Sequence, residues 1–243
     1  MKQVILYKDL KCEFDDAKHQ LFVNGERNPF NITGVTGLLD KSQPLIYWAV
    51  GLTRDFLNDV LSRGETITAE HISQAVQQHR AVKEKTASIG DMVHEYAELF
   101  SLGLKPELPE DERAKNGVLA FLRWLGDSKI KIKNPEQILL SKKYGYWGIA
   151  DSDGTKGKEL YNVEYKTSKG IYSDHRYQAA AQLKAKEEMT RKKYKGSYLL
   201  HFNKETGEFA SIFIDEKETK KDFKAFLGLF AAKKRETELK NGK

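Results

Sequence analysis

The chain has 243 residues, 40% hydrophobic and 31% charged, and its formal net charge of +6 favours a polyanionic partner without establishing one. This length supports one substantial core with a few additions, and the single cysteine, Cys12, excludes an intrachain disulfide and any four-cysteine metal site within the chain. The apolar runs fall short of the roughly 20 residues of a membrane span, and charge interrupts the first one, so we expect an intracellular protein without a membrane partner.

The N-terminal third begins with short strands and continues with helices. Residues 1–30 are typical of a β-meander, with Asn24-Gly25 as a tight turn. From Pro44 to about Leu61 apolar residues recur at helical spacing. A second, polar helix is predicted after Thr68, whose hydroxyl can cap the helix start.

Two further helices are predicted before residue 126. Apolar residues from Ser88 to Phe100 recur at helical spacing, and His94 lies on the same helix. After a proline-containing loop, an amphipathic helix is predicted to end near Gly126. The histidine is therefore expected on a helix that packs against the core.

After Gly126 the apolar period changes from that of a helix to that of a strand. Three strands are predicted up to Val163, broken at Asn134-Pro135 and at 153–157. The remaining elements predicted are a helix at 173–192, strands at 198–202 and 209–214, and a final basic helix at 218–239. This order of strands and helices predicts a mixed α/β fold.

Two acidic residues and a lysine are expected to meet at one end of the sheet. Asp151 ends one predicted strand, and Glu164 and Lys166 lie in the next. Alternation along a strand puts Glu164 and Lys166 on one face and Tyr165 on the other. Paired carboxylates offer the oxygen ligands that Mg²⁺ or Mn²⁺ prefers, and the lysine can position a metal-bound water or neutralise charge on a phosphate.

The alternative for each of these residues is a structural role. An aspartate followed by Glu-x-Lys is a short pattern that also arises by chance, as an ordinary salt bridge. A histidine such as His94 is often a hydrogen-bonded residue at the edge of a helix.

Taken together, Asp151, the Glu164-x-Lys166 pair, His94 on an upstream helix and Gln178 on the helix after the lysine resemble the PD-(D/E)XK nuclease superfamily, in particular its RecB-type, phage exonuclease-like branch. Residues 32–41 are similar to the N-terminal segment of phage-type members. Residues 90–94 resemble their histidine motif. The resemblance covers about residues 30–190.

The resemblance implies a role for each matching residue. Asp151 and Glu164 would hold the metal, with His94 and the backbone carbonyl of Tyr165 as additional ligands. Lys166 would be the catalytic lysine. The metal implied is Mg²⁺, with Mn²⁺ as a substitute, and the missing cysteine quartet excludes the members that carry an iron–sulfur cluster.

Gln178 matches the glutamine of the family's Gln-x-x-x-Tyr motif, which implies that it orients the lysine, contacts DNA and belongs to the catalytic set. The chain departs from the motif at Gln182, where the family has tyrosine. DNA contacts are predicted for five residues near the proposed centre, although loop charges are often only solvated and the aromatic residue could pack in the core: Lys41, Trp48, Lys169, His175 and Arg176.

The fold implied is an α/β, restriction-endonuclease-like core with a central mixed sheet of four or five strands flanked by helices. We expect a single nuclease domain over residues 1–243. It would comprise an N-terminal hairpin and helical portion (1–85), the PD-(D/E)XK core (86–215) and a C-terminal basic helix (216–243).

The function implied is that of a metal-dependent DNA exonuclease in phage biology or in DNA recombination and repair, in the cytoplasm of a bacterium or a phage-infected host. Its substrate would be linear DNA, single- or double-stranded, and a recombination or annealing protein is a candidate partner. The alternatives are a DNA endonuclease of the same fold, a non-catalytic DNA-binding recombination protein, and a nucleotide-processing or RNA-directed hydrolase that uses the same metal chemistry.

Overall fold

The N-terminal residues form a small antiparallel sheet of their own. The computed structural model describes residues 2–168, 170–202 and 209–242, apart from the side chains at 85–88. Asn24 and Gly25 both have positive φ, so the predicted turn is confirmed. The strands pair in chain order: β1 (Lys2–Val4), β2 (Cys12–Asp15), β3 (Gln20–Val23) and β4 (Glu26–Asn28).

Three helices follow: α1 (Ile32–Thr36), α2 (Ser42–Ser62) and α3 (Ala69–Ser101). Thr68 caps α3 by accepting a hydrogen bond from the amide of His71, as predicted. The prediction of two separate helices between Thr68 and Phe100 is wrong. Since the sequence between them contains no proline or capping glycine, α3 continues for 33 residues, and the predicted boundary at 85/86 falls inside it.

The helix α4 (Glu112–Ser128) starts at Asp111, whose carboxylate accepts hydrogen bonds from two amides of the first turn. The helix passes Gly126, where the sequence predicted its end. It stops two residues later because Lys129 adopts a left-handed conformation, with φ of 59°, and donates its amide to the carbonyl of Leu125.

Five strands lie between α4 and the next helix, where three were predicted: β5 (Lys131–Lys133), β6 (Gln137–Ser141), β7 (Tyr146–Ala150), β8 (Ser152–Lys156) and β9 (Glu159–Lys166). The predicted break at 153–157 is wrong except at its end. Gly154 lies inside β8. Glycine is needed at this strand position because a Cβ there would come within 2.9 Å of Ile130 and 3.0 Å of Val163. The turn itself is at Gly157, with φ of +60°.

The central sheet has five strands, as expected for the mixed α/β fold. The helix α5 (Ser173–Thr190) connects β9 to β10 (Gly196–Phe202), which run parallel, and all other pairs are antiparallel. β11 (Phe209–Asp215) completes the order β11-β10-β9-β8-β5, and β6 pairs with β7 in a separate hairpin. The predicted central mixed sheet with flanking helices is therefore confirmed.

Helices cover both faces of this sheet. Val163 and Tyr165 in β9 pack against α3 and α4, whereas Leu199 in β10 packs against Ala179 in α5. The final helix, α6 (Glu216–Lys240), buries phenylalanines against α1, α5 and β7. None of the helices in the described residues is both long and apolar enough to cross a membrane.

Candidate active site

Two acidic residues meet where the chain leaves one sheet and enters the next. Asp151 is the single residue between β7 and β8, and Glu164 and Lys166 lie two apart in β9. The alternation of β9 puts Tyr165 on the opposite face, where its ring is 2% exposed and packs edge-on against Phe121. The face assignment made from the sequence is therefore correct.

Backbone amides hold the two carboxylates beside each other. The amide of Asp151 donates a hydrogen bond to Oε1 of Glu164 over 3.2 Å. The amide of Tyr165 donates to Oδ2 of Asp151 over 2.7 Å. Each carboxylate thus accepts a hydrogen bond from the backbone at or next to the other acidic residue. These two bonds fix the separation of the carboxylates against the repulsion of their like charges.

The lysine and the glutamine complete the cluster on the same face. Nζ of Lys166 lies 3.1 Å from Oε2 of Glu164 and 3.4 Å from Oε1 of Gln178. Nε2 of Gln178 donates to the same Glu164 oxygen over 3.3 Å. The structure thus brings Gln178 to the lysine that it was predicted to orient.

Burial and neighbouring charge perturb both ionisable groups of this pair. Burial, and then the charge of Asp151, raise the pKa of Glu164 to about 7, against the opposing effect of Lys166. Burial lowers the pKa of Lys166, but the charges of Glu164 and Asp151 outweigh it, so the net pKa lies above its ordinary value. The lysine is thus protonated at neutral pH, while the two carboxylates together would gain from a further cation.

His94 approaches the cluster from α3. Its Nδ1 lies 4.0 Å from Oδ1 of Asp151, and its ring contacts Tyr165 edge-on. His94 and Asp151 are thus a nitrogen and an oxygen donor that would hold the same divalent cation if one bound here, and this ligand role of His94 stays a prediction.

Glu164 lies beside Asp151, but the three predicted side-chain ligands His94, Asp151 and Glu164 do not form a ready-made metal site. In the part of the chain that the structure describes, no group of three or more histidine, cysteine, aspartate or glutamate side chains could hold a metal ion. Glu164 is fully buried, and its oxygens accept hydrogen bonds from Lys166, Gln178 and the Asp151 amide. Its ligand role, like that of the Tyr165 carbonyl, stays a prediction.

A cavity of about 770 Å³ opens beside Lys166 and Gln178. Its wall is formed by α1, the 37–41 connection, the start of α2 and the first turn of α5, including Lys41 and His175. Another cavity, of about 700 Å³, is lined by acidic and apolar residues of α3 and the loop before α4. The cavity beside the lysine is lined by Lys41 and Lys166 together with Asp40 and Asp174, so its charges balance. Of the two cavities, it is the one whose lining includes lysines that a phosphate could contact.

The five predicted DNA contacts divide by position. Lys41 and His175 line the cavity, and Asp174 lies between them, 2.5 Å from Nζ of Lys41 and 3.8 Å from Nε2 of His175. Trp48 is half-buried on α2 and does not line the cavity. The guanidinium of Arg176 is bound to α6, where it contacts two carboxylates, and Lys169 lies outside the described residues.

Comparisons with known proteins give only slight likenesses. No protein-family model and no curated protein matches the chain. Among solved structures, an alkaline exonuclease from Laribacter hongkongensis is similar over 65% of this chain and 92% of that one, at 13% identity and a TM-score of 0.33. Its complex with dAMP covers the same shares at 12% identity and a TM-score of 0.33. SSO0001 has 16% identity and a TM-score of 0.28, over 58% of this chain and 74% of that one. Likenesses at these TM-scores carry no argument about this protein.

Sequence reasoning assigned no role to three residues beside the site. Asp174 holds Lys41, and nothing in the sequence pairs these residues, which lie 133 positions apart. Gln182 and Lys186 are fully buried on α5 and bind the backbone on either side of Asp151. Their four-residue spacing from Gln178, in an alanine-rich helix, was the available signal.

Proposed function

We propose that this protein is a metal-dependent DNA nuclease that hydrolyses phosphodiester bonds at Asp151, Glu164 and Lys166, and that it acts as an exonuclease on linear DNA. The observation that carries the proposal is the meeting of these three side chains with Gln178 beside a cavity that also contains Lys41. The exonuclease mode rests on the sequence resemblance alone.

Lys166 is the residue that would act directly on the phosphate. Of its three N–H groups, two are directed to Glu164 and Gln178, which leaves one for a phosphate oxygen or a water. Since its pKa lies above the ordinary value, the amine stays charged and stabilises negative charge that develops on the phosphate. This chemistry requires a cation and not a base at position 166.

The metal is part of the same proposal. Asp151 and Glu164 supply carboxylate oxygens, the donors that suit Mg²⁺ or Mn²⁺, and His94 close by adds an imidazole nitrogen. When bound, such an ion lowers the pKa of a water and polarises the phosphate. The protein's own contribution is to hold the two carboxylates together through backbone amides and to keep Lys166 and Gln178 in place.

A cleavage assay tests the proposal. Purified wild type, Lys166→Met, Asp151→Asn and the control Lys184→Met are incubated with Mg²⁺, Mn²⁺ or a chelator. Lys184 is matched because it also pairs with a glutamate, but on α5 away from the cluster. The substrates are linear duplex DNA, linear single-stranded DNA, closed circular DNA and RNA. We expect wild type and Lys184→Met to degrade linear DNA with metal, and neither site variant to do so.

Each rival has its own outcome in this assay. Rapid cutting of closed circles would replace exonuclease with endonuclease activity, and preferential loss of RNA would change the substrate class. DNA binding without cleavage under any metal would leave a binding protein. Equal digestion by wild type and Lys166→Met would remove the proposed centre altogether.

A further inference from the structure

Three polar side chains form a stripe along the otherwise alanine-rich helix α5. Gln178, Gln182 and Lys186 are spaced by four residues and therefore share one side of the helix. Gln182 and Lys186 are fully buried beneath it. Burial of a glutamine and a lysine is costly unless each makes specific bonds, so their partners are informative.

The two buried side chains bind backbone on both sides of Asp151. Nε2 of Gln182 donates to the carbonyl of Ile149 over 2.9 Å. Nζ of Lys186 donates to the carbonyl of Ser152, also over 2.9 Å. The carbonyls lie two residues before and one residue after Asp151, so the side chains of α5 bracket the residue that carries the carboxylate.

The chain needs this support because strand pairing is incomplete there. The strand β7 pairs with β6 in a hairpin, and the chain passes to the five-stranded sheet at Asp151. Ile149 pairs with Ile138 in β6, and Ser152 pairs with Val163 in β9, whereas β5 pairs only with Asp153 to Thr155 of β8. Each of these two residues therefore has one strand partner, and α5 donates a hydrogen bond to its carbonyl. Such a bond matters because a buried carbonyl without a hydrogen bond is costly.

Lys186 is itself fixed by further polar contacts. Its Nζ lies 2.9 Å from Oδ1 of Asp153, which also accepts a hydrogen bond from Tyr194. The other oxygen of Asp153 accepts hydrogen bonds from Asn134 and Gln137. Every bond in this set is directed at the segment that carries Asp151 or at Asp153 itself.

We propose that Gln182 and Lys186 are positioning residues for the metal site, which fix the backbone around Asp151 so that its carboxylate is oriented toward the cation. This inference rests on the proposed function. It differs from a purely structural role, because it predicts a loss of metal affinity that is separate from any loss of stability.

The experiment compares variants of α5 in the full chain. Gln182→Met keeps the volume of the side chain and removes its N–H donor. The double variant Lys186→Met/Asp153→Asn removes both buried charges together, so that neither is left alone. Leu183→Ala is the control, since Leu183 is 2% exposed on the same helix and makes no hydrogen bond to 149–152.

The readouts are Mn²⁺ affinity by calorimetry without DNA, the metal dependence of cleavage, and the melting temperature. We expect both test variants to bind Mn²⁺ roughly 10–100-fold more weakly, as is typical when a residue that orients a metal ligand is lost. Raising the Mn²⁺ concentration should restore much of their cleavage. Leu183→Ala should melt at a lower temperature with unchanged Mn²⁺ affinity.

The outcomes separate this inference from the proposed function. If wild type binds Mn²⁺ and cleaves DNA but both test variants bind Mn²⁺ equally well, the positioning role is wrong and the nuclease stands. Equal weakening in Leu183→Ala would also overturn it, because general loosening of α5 would explain the effect. If wild type neither binds Mn²⁺ nor cleaves DNA, both proposals fail.

Discussion

Two buried lysine–carboxylate pairs in the described part of the chain have opposite properties: Glu164 and Lys166 lie on β9, whereas Asp153 lies on the neighbouring β8 and Lys186 on α5. Glu164 and Lys166 are 3.1 Å apart, and Asp153 and Lys186 are 2.9 Å apart. The pKa of Glu164 is raised to about 7, first by burial and then by Asp151. For Asp153 burial also raises the pKa, but Lys186 and the amide donors outweigh it, and the net pKa is lowered.

The difference lies in what surrounds each carboxylate. Asp153 accepts hydrogen bonds from the lysine, a tyrosine and two amide side chains, and none of these four partners is acidic. Glu164 shares its space with Asp151, and Lys166 beside it is 14% exposed toward the cavity. A fully satisfied pair has no charge left for a ligand and is costly to break at one partner, whereas a pair with excess negative charge beside a cavity is suited to bind a cation.

The largest effect is expected from Glu164→Gln. The amide keeps the volume but has one acceptor oxygen, so it cannot accept from both the Asp151 amide and Lys166, and it removes the negative charge. Cleavage should fall by about 10⁴-fold, or about 5 kcal/mol in activation free energy. The unfolding free energy should fall by about 1–3 kcal/mol, as for one buried donor left without an acceptor. Single-turnover cleavage and urea unfolding measure the two quantities.

The matched control for this variant is Glu159→Gln. Glu159 lies on the same strand but is bound to Lys195 and Tyr161 at the opposite end. It should cleave DNA at the wild-type rate. If Glu164→Gln kept more than a tenth of the activity, the pair of Glu164 and Lys166 would be structural, like the pair of Asp153 and Lys186.

The reverse result is expected for Asp153→Asn. This substitution leaves the ammonium of Lys186, which is fully buried, without its counter-charge. The unfolding free energy should fall by roughly 3–5 kcal/mol, measured by urea unfolding. The double variant with Lys186→Met should recover most of this loss. A change below about 1 kcal/mol would show that water reaches the pair and that the contrast between the two pairs is weaker than the contacts indicate.

The sequence predicted the pair of Glu164 and Lys166, here called the open pair because Lys166 faces the cavity, and it missed the fully buried pair of Asp153 and Lys186. The reason is physical. The spacing of Glu164 and Lys166 is local, since residues two apart in a strand share a face whatever the rest of the chain does. The pair of Asp153 and Lys186 joins residues 33 positions apart and exists only after β8 forms beneath α5. The cluster around Glu164 and Lys166 could therefore be predicted from residue spacing, whereas the contact between Asp153 and Lys186 could not.

The same limit explains the misplaced elements. The Asp-Gly-Thr segment at 153–155 has turn composition, but Gly154 is required in the strand by Ile130 and Val163, which only the tertiary structure brings near. Arg176 was predicted to contact DNA from a segment that flanks the proposed centre. Its guanidinium is bound to carboxylates 42 and 46 residues away on α6, which the sequence does not indicate, and its contact with DNA stays a prediction.

The pKa of His175 shows how far the positive charge of Lys166 acts into the cavity. Burial, and then the charge of Lys166, lower the pKa of His175 to about 4. Its Nδ1 accepts the amide of Tyr172, which requires an unprotonated ring nitrogen. Because the folded state binds the proton less well than the unfolded state does, the stability that His175 contributes is lost as pH falls from about 6.5 to 4.

The variant His175→Gln should remove this pH dependence. Glutamine at the third helical position can still accept the amide at the start of α5. Urea unfolding should show the variant and wild type to be alike at pH 7.5. At pH 4.5 the variant should be more stable, by about 1–3 kcal/mol. Parallel stability curves for the two proteins from pH 7.5 to 4.5 would contradict the lowered pKa.

The smallest effect is expected from Lys41→Ala, at the wall of the same cavity. Lys41 is 48% exposed and is held by Asp174 and by the ring of Tyr172. As a phosphate contact outside the reacting group, it should change the KM for DNA by roughly three- to tenfold and leave kcat within about twofold. The slope of log affinity against log salt concentration should become shallower by about 1.

Lys11→Ala is the control, because Lys11 is also exposed and pairs with one acid, Glu13, in the N-terminal sheet. If both variants give the same salt dependence, the wall of the cavity does not contact the DNA at Lys41, and Lys166 is left as the lysine that contacts the phosphate.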